Sequence, residues 1–244
     1  MICAPQAPED DLTRGILVPA IPGRGWQNYP MAHDRDVQAF DRRSAHYESG
    51  REGEWHRRIA ERTADIAVGY VPAPVRVLDV GCGTGYLLRH LGLRYPEAVE
   101  LDGVDAAPGM IEVARSKAVD DDRLHFSIGV AERLPYPDGS FDLVVSTSSF
   151  DHWQDQEVGL TECARVMAPD GYLVLTDFFS VMFLPTLLVG RRGRVRTIRR
   201  ASSLLRVVGF RSVGWHRLTP FTTIIRTVTA TKSDSLQNSS SPTP

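Results

Sequence analysis

Residues Val77 to Leu88 read VLDVGCGTGYLL: an apolar, strand-like run, then glycines at 81, 83 and 85, then the start of an apolar helical pattern. A strand that passes through a glycine-rich turn into a helix opens a βα unit. In doubly wound sheets that first turn lies beyond the carboxyl ends of the central strands, where ligands bind. The loop spells G-x-G-x-G, and Tyr86 stands where the dinucleotide fingerprint G-x-G-x-x-G has its last glycine. Asp79 precedes Gly81 by two residues. A carboxylate there repels a pyrophosphate and attracts an ammonium or sulfonium ion, so the loop suits a ligand of cationic character. A tight strand-to-helix turn accounts for one or two of the glycines, not for three together with the acid.

The alternation repeats outward from the loop. The β-rich runs VRVLDV, VELDGVD, LHFSIG, FDLVVST and GYLVLTDF are separated by the helical patterns GYLLRHLGLRY, PGMIEVARSKA and QEVGLTECARVM. Parallel strands need crossovers, and crossover helices cover the sheet. The pattern therefore predicts a doubly wound α/β fold. TIRRASSLLRVVGF reads as a helix ending at Gly209, and FRSVGWHRL and TTIIRTVTATK flank a short Pro-containing loop as a closing hairpin. Ahead of the sheet, HDRDVQAFDRRSAHYESG and EWHRRIAERTADIAVGY carry helical spacing, with Trp55, Ile59 and Ile66 on one stripe, and predict two leading helices. Residues 1–32 and 232–244 read as loose tails. Residues 33–231 read as one domain, with 33–73 as its leading helices and 178–200 as a lid-like insertion.

The chain has 244 residues, 42% of them hydrophobic, and a formal net charge of -2. That length supports one sizeable core, and the charge gives no global field that would draw nucleic acid. Cys3, Cys82 and Cys163 lack metal-ligand spacing, and no signal-peptide pattern follows Met1; a reducing cytoplasm and no metal site are expected. The longest apolar run, Phe178 to Gly190, is 13 residues long and contains Pro185, too short for a membrane span.

Asp105 ends the second strand, 20 residues after Gly85. There a carboxylate accepts hydrogen bonds from both hydroxyls of a ribose. Alone, Asp105 reads equally as an N-cap for the helix beginning near Pro108; together with the loop it points to a nucleoside.

The motifs VLDVGCGTGYLL, GVDAAPGMIEVAR, AERLPYPDGSFDLVVST and ECARVMAPDGYLVLTDF resemble, in this order, those of the class I S-adenosylmethionine-dependent methyltransferases, in their Rossmann-like, small-molecule, type 11-like group. The resemblance covers about Phe40 to Lys232. It implies a mostly parallel seven-stranded sheet with a C-terminal antiparallel hairpin, and S-adenosyl-L-methionine as cofactor. The sulfonium agrees with the charge argument. By the same resemblance Asp79 lies near the methionyl amino group. Gly81, Cys82, Gly83 and Gly85 form the loop along the methionyl portion, and Asp105 binds the ribose. Ala106 and Met110 pack on adenine, with Ala131 and Glu132 along its edge, and Ser146 and Thr147 face the methionyl part. Where the family commonly has an acid for the adenine amino group, this chain has Val130, which cannot accept a hydrogen bond; Glu132, a backbone carbonyl or a water is left to substitute.

Methyl transfer needs the nucleophile in line behind the methyl, about 3 Å away, with water excluded. A nucleophile that carries a proton also benefits from a base. His152 in SSFDHWQDQ follows the fourth strand and overhangs the reactive end, with Asp151 beside it to orient it or stand in for it. The competing reading is that His152 packs or caps the next helix. Tyr47 in FDRRSAHYESG is a candidate for a cation–π contact with the sulfonium, or a helix-surface aromatic. The segment FFSVMFLPTLLVGRRGRVRTIRR joins an apolar stretch to six arginines between Arg191 and Arg200. It reads as a lid or dimer contact before a solvated basic helix start, in preference to an anion- or lipid-reading patch. The leading function is methyl transfer to a small-molecule acceptor. The alternatives are a cofactor-binding relative that does not methylate and, disfavoured by Tyr86 and Asp79, a nicotinamide oxidoreductase.

Overall fold

The computed structural model describes residues 35–179, 197–219 and 222–232. Both expected tails, apart from Lys232, and most of the 178–200 insertion, including Arg191 to Arg196, lie outside these residues. Seven strands form one sheet: β1 (Arg76–Val80), β2 (Glu100–Asp105), β3 (Leu124–Ile128), β4 (Phe141–Thr147), β5 (Met167–Phe178), β6 (Ser212–Thr219) and β7 (Thr222–Thr231). The order is β3-β2-β1-β4-β5-β7-β6. β1 to β5 pair in parallel, and β7 runs antiparallel to both β5 and β6. This is the expected doubly wound sheet with a closing hairpin.

Among the described residues six α-helices, α1 (Arg35–Arg43), α2 (Gly50–Tyr70), α3 (Tyr86–Arg94), α4 (Pro108–Ser116), α5 (Gln156–Val166) and α6 (Ile198–Val207), accompany the sheet. Strand alternation sorts the core into two layers. Leu78 and Val80 of β1 pack with Leu160 and Cys163 of α5 and Ala201 and Leu205 of α6. Val77, in the opposite phase, packs with Ala64 of α2, Leu88 and Leu91 of α3 and Ile111 of α4. Asp79 has the phase of Val77, so its carboxyl is set beneath the loop on the α2–α3 face. Boundaries move at two places: α1 stops at Arg43 and α2 begins at Gly50, ahead of Glu54, and β5 begins at Met167 instead of Gly171, directly after α5 stops at Val166. Lys232 Nζ donates to the carbonyls of Ala164 and Met167, satisfying acceptors that a further helical turn would have used.

The leading segment is fastened across the carboxyl end of the sheet. The N-cap of α4 is Ala107, which has no side chain to cap with. Asp41 of α1 supplies the acceptor instead, taking the Gly109 N–H at 2.6 Å. Glu48, just after α1, accepts from Thr84 Oγ1 on the glycine loop and ion-pairs with Arg89 Nη2 at 3.0 Å and Lys117 Nζ at 2.8 Å. These bonds hold residues 35–48 as a cover over the turn.

Candidate cofactor and acceptor site

Two adjoining cavities open at the carboxyl ends of β1, β2 and β4. The larger, of about 850 Å³ including space open to solvent, is bordered by Asp36, Phe40, Asp105, Met110, Glu132 and His152 among others. The smaller, of about 500 Å³ on the same measure, is bordered by Asp79, Cys82, Thr84, His56 and Tyr86. Gly81, Gly83, Tyr47, Thr147 and Ser148 border both. An elongated ligand lying across the glycine loop would thread from one into the other, past Tyr47.

Asp79 is 2% exposed, and its Oδ1 is buried without a hydrogen-bond partner. Burial, and then the nearby Asp105, push its pKa well above the usual carboxylate range. Thr147 Oγ1 is likewise buried and unpartnered. A buried polar atom left unbonded is costly, and two such atoms on one cavity wall mark a place built for a polar ligand. An acceptor beside a hydroxyl matches the ammonium and carboxylate of an amino acid. Asp105 accepts from Gly83 N and Ala107 N, each at 2.9 Å. It thus ties the loop to the turn before α4, without being the N-cap of that helix, while its carboxyl stays on the wall of the larger cavity.

The loop glycines divide by role. A Cβ on Gly81 would stand 1.8 Å from Ser149 Oγ, whereas on Gly83 it would meet only Tyr47 Cε1, at 3.9 Å. Gly85 borders neither cavity; it carries φ +75, and a Cβ there would lie 2.6 Å from Phe126 Cζ. Gly85→Ala is therefore expected to cost about 2–3 kcal/mol of stability. Gly83→Ala should cost less stability and more ligand affinity. Denaturant unfolding and calorimetric titration of the two variants check the split.

The other expected cofactor residues gather on the larger cavity, Ser146 excepted. Ala106, Met110 and Ala131 border the larger cavity, as does Val130. Glu132 does too, but its Oε1 already accepts from Asp155 N at the start of α5. Ser146 borders neither cavity: its hydroxyl donates to Val80 O at 2.8 Å. Tyr47 stacks on His56 with ring centroids 5.0 Å apart, and burial raises its phenol to about 12. It is a wall of the site and not a surface aromatic.

The base candidate is held differently from the expectation. His152 borders the larger cavity, and its Nδ1 lies 3.1 Å from Asp36 Oδ2 on α1, with Phe40 edge-on to the ring at 4.9 Å. Asp151, expected to orient it, borders neither cavity. Its backbone N–H donates to Asp177, whose carboxyl is raised to about 6 chiefly by burial. The orienting carboxylate is Asp36, 116 residues away in the chain. Sequence reasoning missed Asp36, Phe40, Glu48 and Ser149. Among the described residues no group of His, Cys, Asp and Glu has the makings of a metal site, and no helix is long and apolar enough to cross a membrane.

Comparison with known proteins bears on this arrangement. Residues 78–175, β1 to β5, match a methyltransferase domain family. A malonyl-[acyl-carrier protein] O-methyltransferase of Geobacter sulfurreducens is 35% identical over 188 residues, covering 72% of this chain and 69% of that protein. The chain belongs to the class I S-adenosylmethionine-dependent methyltransferases. A second relative within these methyltransferases, a demethylmenaquinone methyltransferase of Deinococcus radiodurans, is 43% identical over 118 residues, 48% of each chain. The chain thus spans about half the length of that relative. The crystal structure of an S-adenosylmethionine-dependent methyltransferase from Thermotoga maritima superposes with a TM-score of 0.60 at 21% identity, over 80% of this chain and 99% of that one, a likeness of fold. The residues present fit the methyltransferase cofactor: an orphaned carboxyl oxygen beneath the loop suits its ammonium, a ribose-height acid stands on the next strand, and an aromatic wall lies between them.

Proposed function

We propose that this methyltransferase moves a methyl group from S-adenosylmethionine to a small-molecule acceptor whose nucleophilic oxygen or nitrogen carries a proton. His152 removes that proton. The observation that supports this reading is the His152–Asp36 pair on the wall of the cavity that also holds Asp105 and Met110. A carboxylate accepts and cannot donate, so Asp36 holds the imidazole tautomer protonated on Nδ1 and leaves the lone pair of Nε2 for the acceptor. When bound, the cofactor supplies an already activated methyl; the chain's share is orientation, exclusion of water and custody of the proton. In this reading Asp79 and Thr147 hold the methionyl end and Asp105 holds the ribose. Ala106 and Met110 flank the base, Tyr47 closes over the sulfonium, and α1 shuts out water.

The named relatives act on a quinone precursor and on a malonyl group held by a carrier protein. A small-molecule acceptor, free or carried, is the class we assign here. Thermal-shift measurements with S-adenosylmethionine, S-adenosylhomocysteine and NAD test the cofactor. A ligand at 100 times its dissociation constant adds about 2.7 kcal/mol, which for a chain of this size corresponds to roughly 5–10 °C. The expected result is that shift with the sulfonium and its thioether product and none with NAD. A shift with NAD alone sinks the reading.

A further inference from the structure

The charges of this chain are segregated. Residues 178–233 hold ten Arg and one Lys and no Asp or Glu, where the chain's average frequency would give about seven acids; the remaining residues hold 17 cations against 30 acids. The described part of that run is α6 and the hairpin. Arg199, Arg200 and Arg206 are exposed on α6 and Arg217 is exposed on β6. No ion pair among the described residues engages these four. Along α6, Arg199 to Arg206 spans about 10 Å at 1.5 Å per residue. Ala201 and Leu205 of that helix are spent in the core; its exposed apolar residues, Ile198 and Val207, stand at its two ends, about 13 Å apart at 1.5 Å per residue, so with the arginines between them they form no continuous apolar ridge for insertion into a bilayer.

Two of these placements oppose local stability. Arg199 and Arg200 sit in the first turn of α6, at the positive end of its dipole, and no acid shares that turn. Arg217 stands directly opposite Arg226 across the β6–β7 pair, and like charges in that position repel. Both features gather at one end of the molecule. β6 runs parallel to β5, so Arg217 lies toward the end of the sheet where β5 finishes at Asp177 and Phe178, and Asp177 accepts from the backbone N–H of Asp151, the neighbour of His152. α6 starts from that same end as the crossover between the two strands. By alternation, Arg217 and Arg226 share the sheet face of Trp215 and Val228, the face that α6 covers.

We propose that α6 and the adjoining ends of β6 and β7 form a docking surface for an acidic protein that carries the acceptor. A small anion is gripped by one or two guanidinium groups at close range. A row of cations about 10 Å long, continued onto the hairpin, addresses an extended acidic surface instead. The relative with 72% coverage of this chain acts on an acceptor held by an acyl-carrier protein, which gives the carrier a concrete chemical form. This inference rests on the methyltransferase reading for the purpose of docking but not for its detection.

The test uses the full chain without cofactor and a malonyl-loaded acyl-carrier protein as probe, followed by calorimetry at low and high salt. The expected result is binding that weakens with salt and falls on the order of tenfold or more in an Arg199→Glu, Arg206→Glu variant. Arg217→Ser serves as a second variant. It relieves the cross-strand repulsion, so its melting temperature should hold or rise while binding weakens, which separates docking from misfolding. Retention of the chain by vesicles of phosphatidylcholine with phosphatidylglycerol, with no carrier binding, overturns the proposal in favour of a lipid surface. Binding to neither probe, or carrier binding that all variants keep, overturns it outright. Titration of S-adenosylhomocysteine into the same samples reports separately on the methyltransferase reading.

Discussion

Replacing His152 by Ala is expected to lower kcat by about 10² to 10⁴-fold, the usual contribution of a positioned general base, and to leave the affinity for S-adenosylmethionine unchanged. The imidazole borders the larger cavity, and its contacts are with Phe40 and Asp36 of α1. Added imidazole should restore part of the lost rate. Asp36→Asn should fall between wild type and His152→Ala, because an amide can present its N–H to Nδ1 and favour the wrong tautomer. Steady-state kinetics of the three proteins, with cofactor affinity measured by calorimetry, decide the matter once an acceptor is in hand. If His152 merely packs against α1, the alanine variant will lose melting temperature and keep its turnover.

The second large effect concerns Asp79. Its carboxyl is raised well above the ordinary range by burial and then by Asp105. Between the ordinary carboxylate pKa and that raised value the unfolded chain has lost a proton that the folded chain keeps. The ligand-free protein therefore loses stability as pH rises through this window. Asp79→Asn removes the titration, so the variant should melt higher than wild type at neutral pH and lie flatter against pH. The same change takes away the negative charge that the proposed function sets against the ligand's ammonium, and leaves only an amide oxygen in its place. Cofactor binding should weaken by about 2–5 kcal/mol, a factor of roughly 30 to several thousand. Melting curves across pH, with and without S-adenosylhomocysteine, measure both arms. A variant that melts lower without ligand, or binds as well as wild type, contradicts the assignment.

What could be read from the sequence was what local spacing encodes. The switch between two-residue and helical periods located the seven strands and six α-helices of the described residues, and Asp79 and Asp105 stood out because each sits at a fixed offset from the end of a strand. Ser146 and Thr147 show where that reasoning thins. Adjacent strand residues face opposite sides, so one of the pair borders the cavity while the other bonds Val80 O. Asp36 was beyond reach for a different reason. Its link to His152 bridges 116 positions and is made by a helix that docks through Asp41 on Gly109, and no short pattern announces such a contact. Asp151 was attractive because it is the neighbour of His152 in sequence, but in the 3-10 turn Phe150–His152 consecutive side chains splay apart, and its backbone serves Asp177 instead. The charge segregation of residues 178–233 was legible from the start and is masked by a near-neutral total.

The fastening of residues 35–48 has a kinetic corollary. Asp36, Phe40 and Tyr47 all ride on this one stretch, which Asp41 and Glu48 pin to α4 and to the glycine loop. Under the proposed function, admission of the nucleoside and readiness of the imidazole become a single gated event. On that reading a methyl donor does not sit exposed beside an armed base, and the doorway that suppresses wasteful reaction with solvent is the one that reopens to let the spent thioether out.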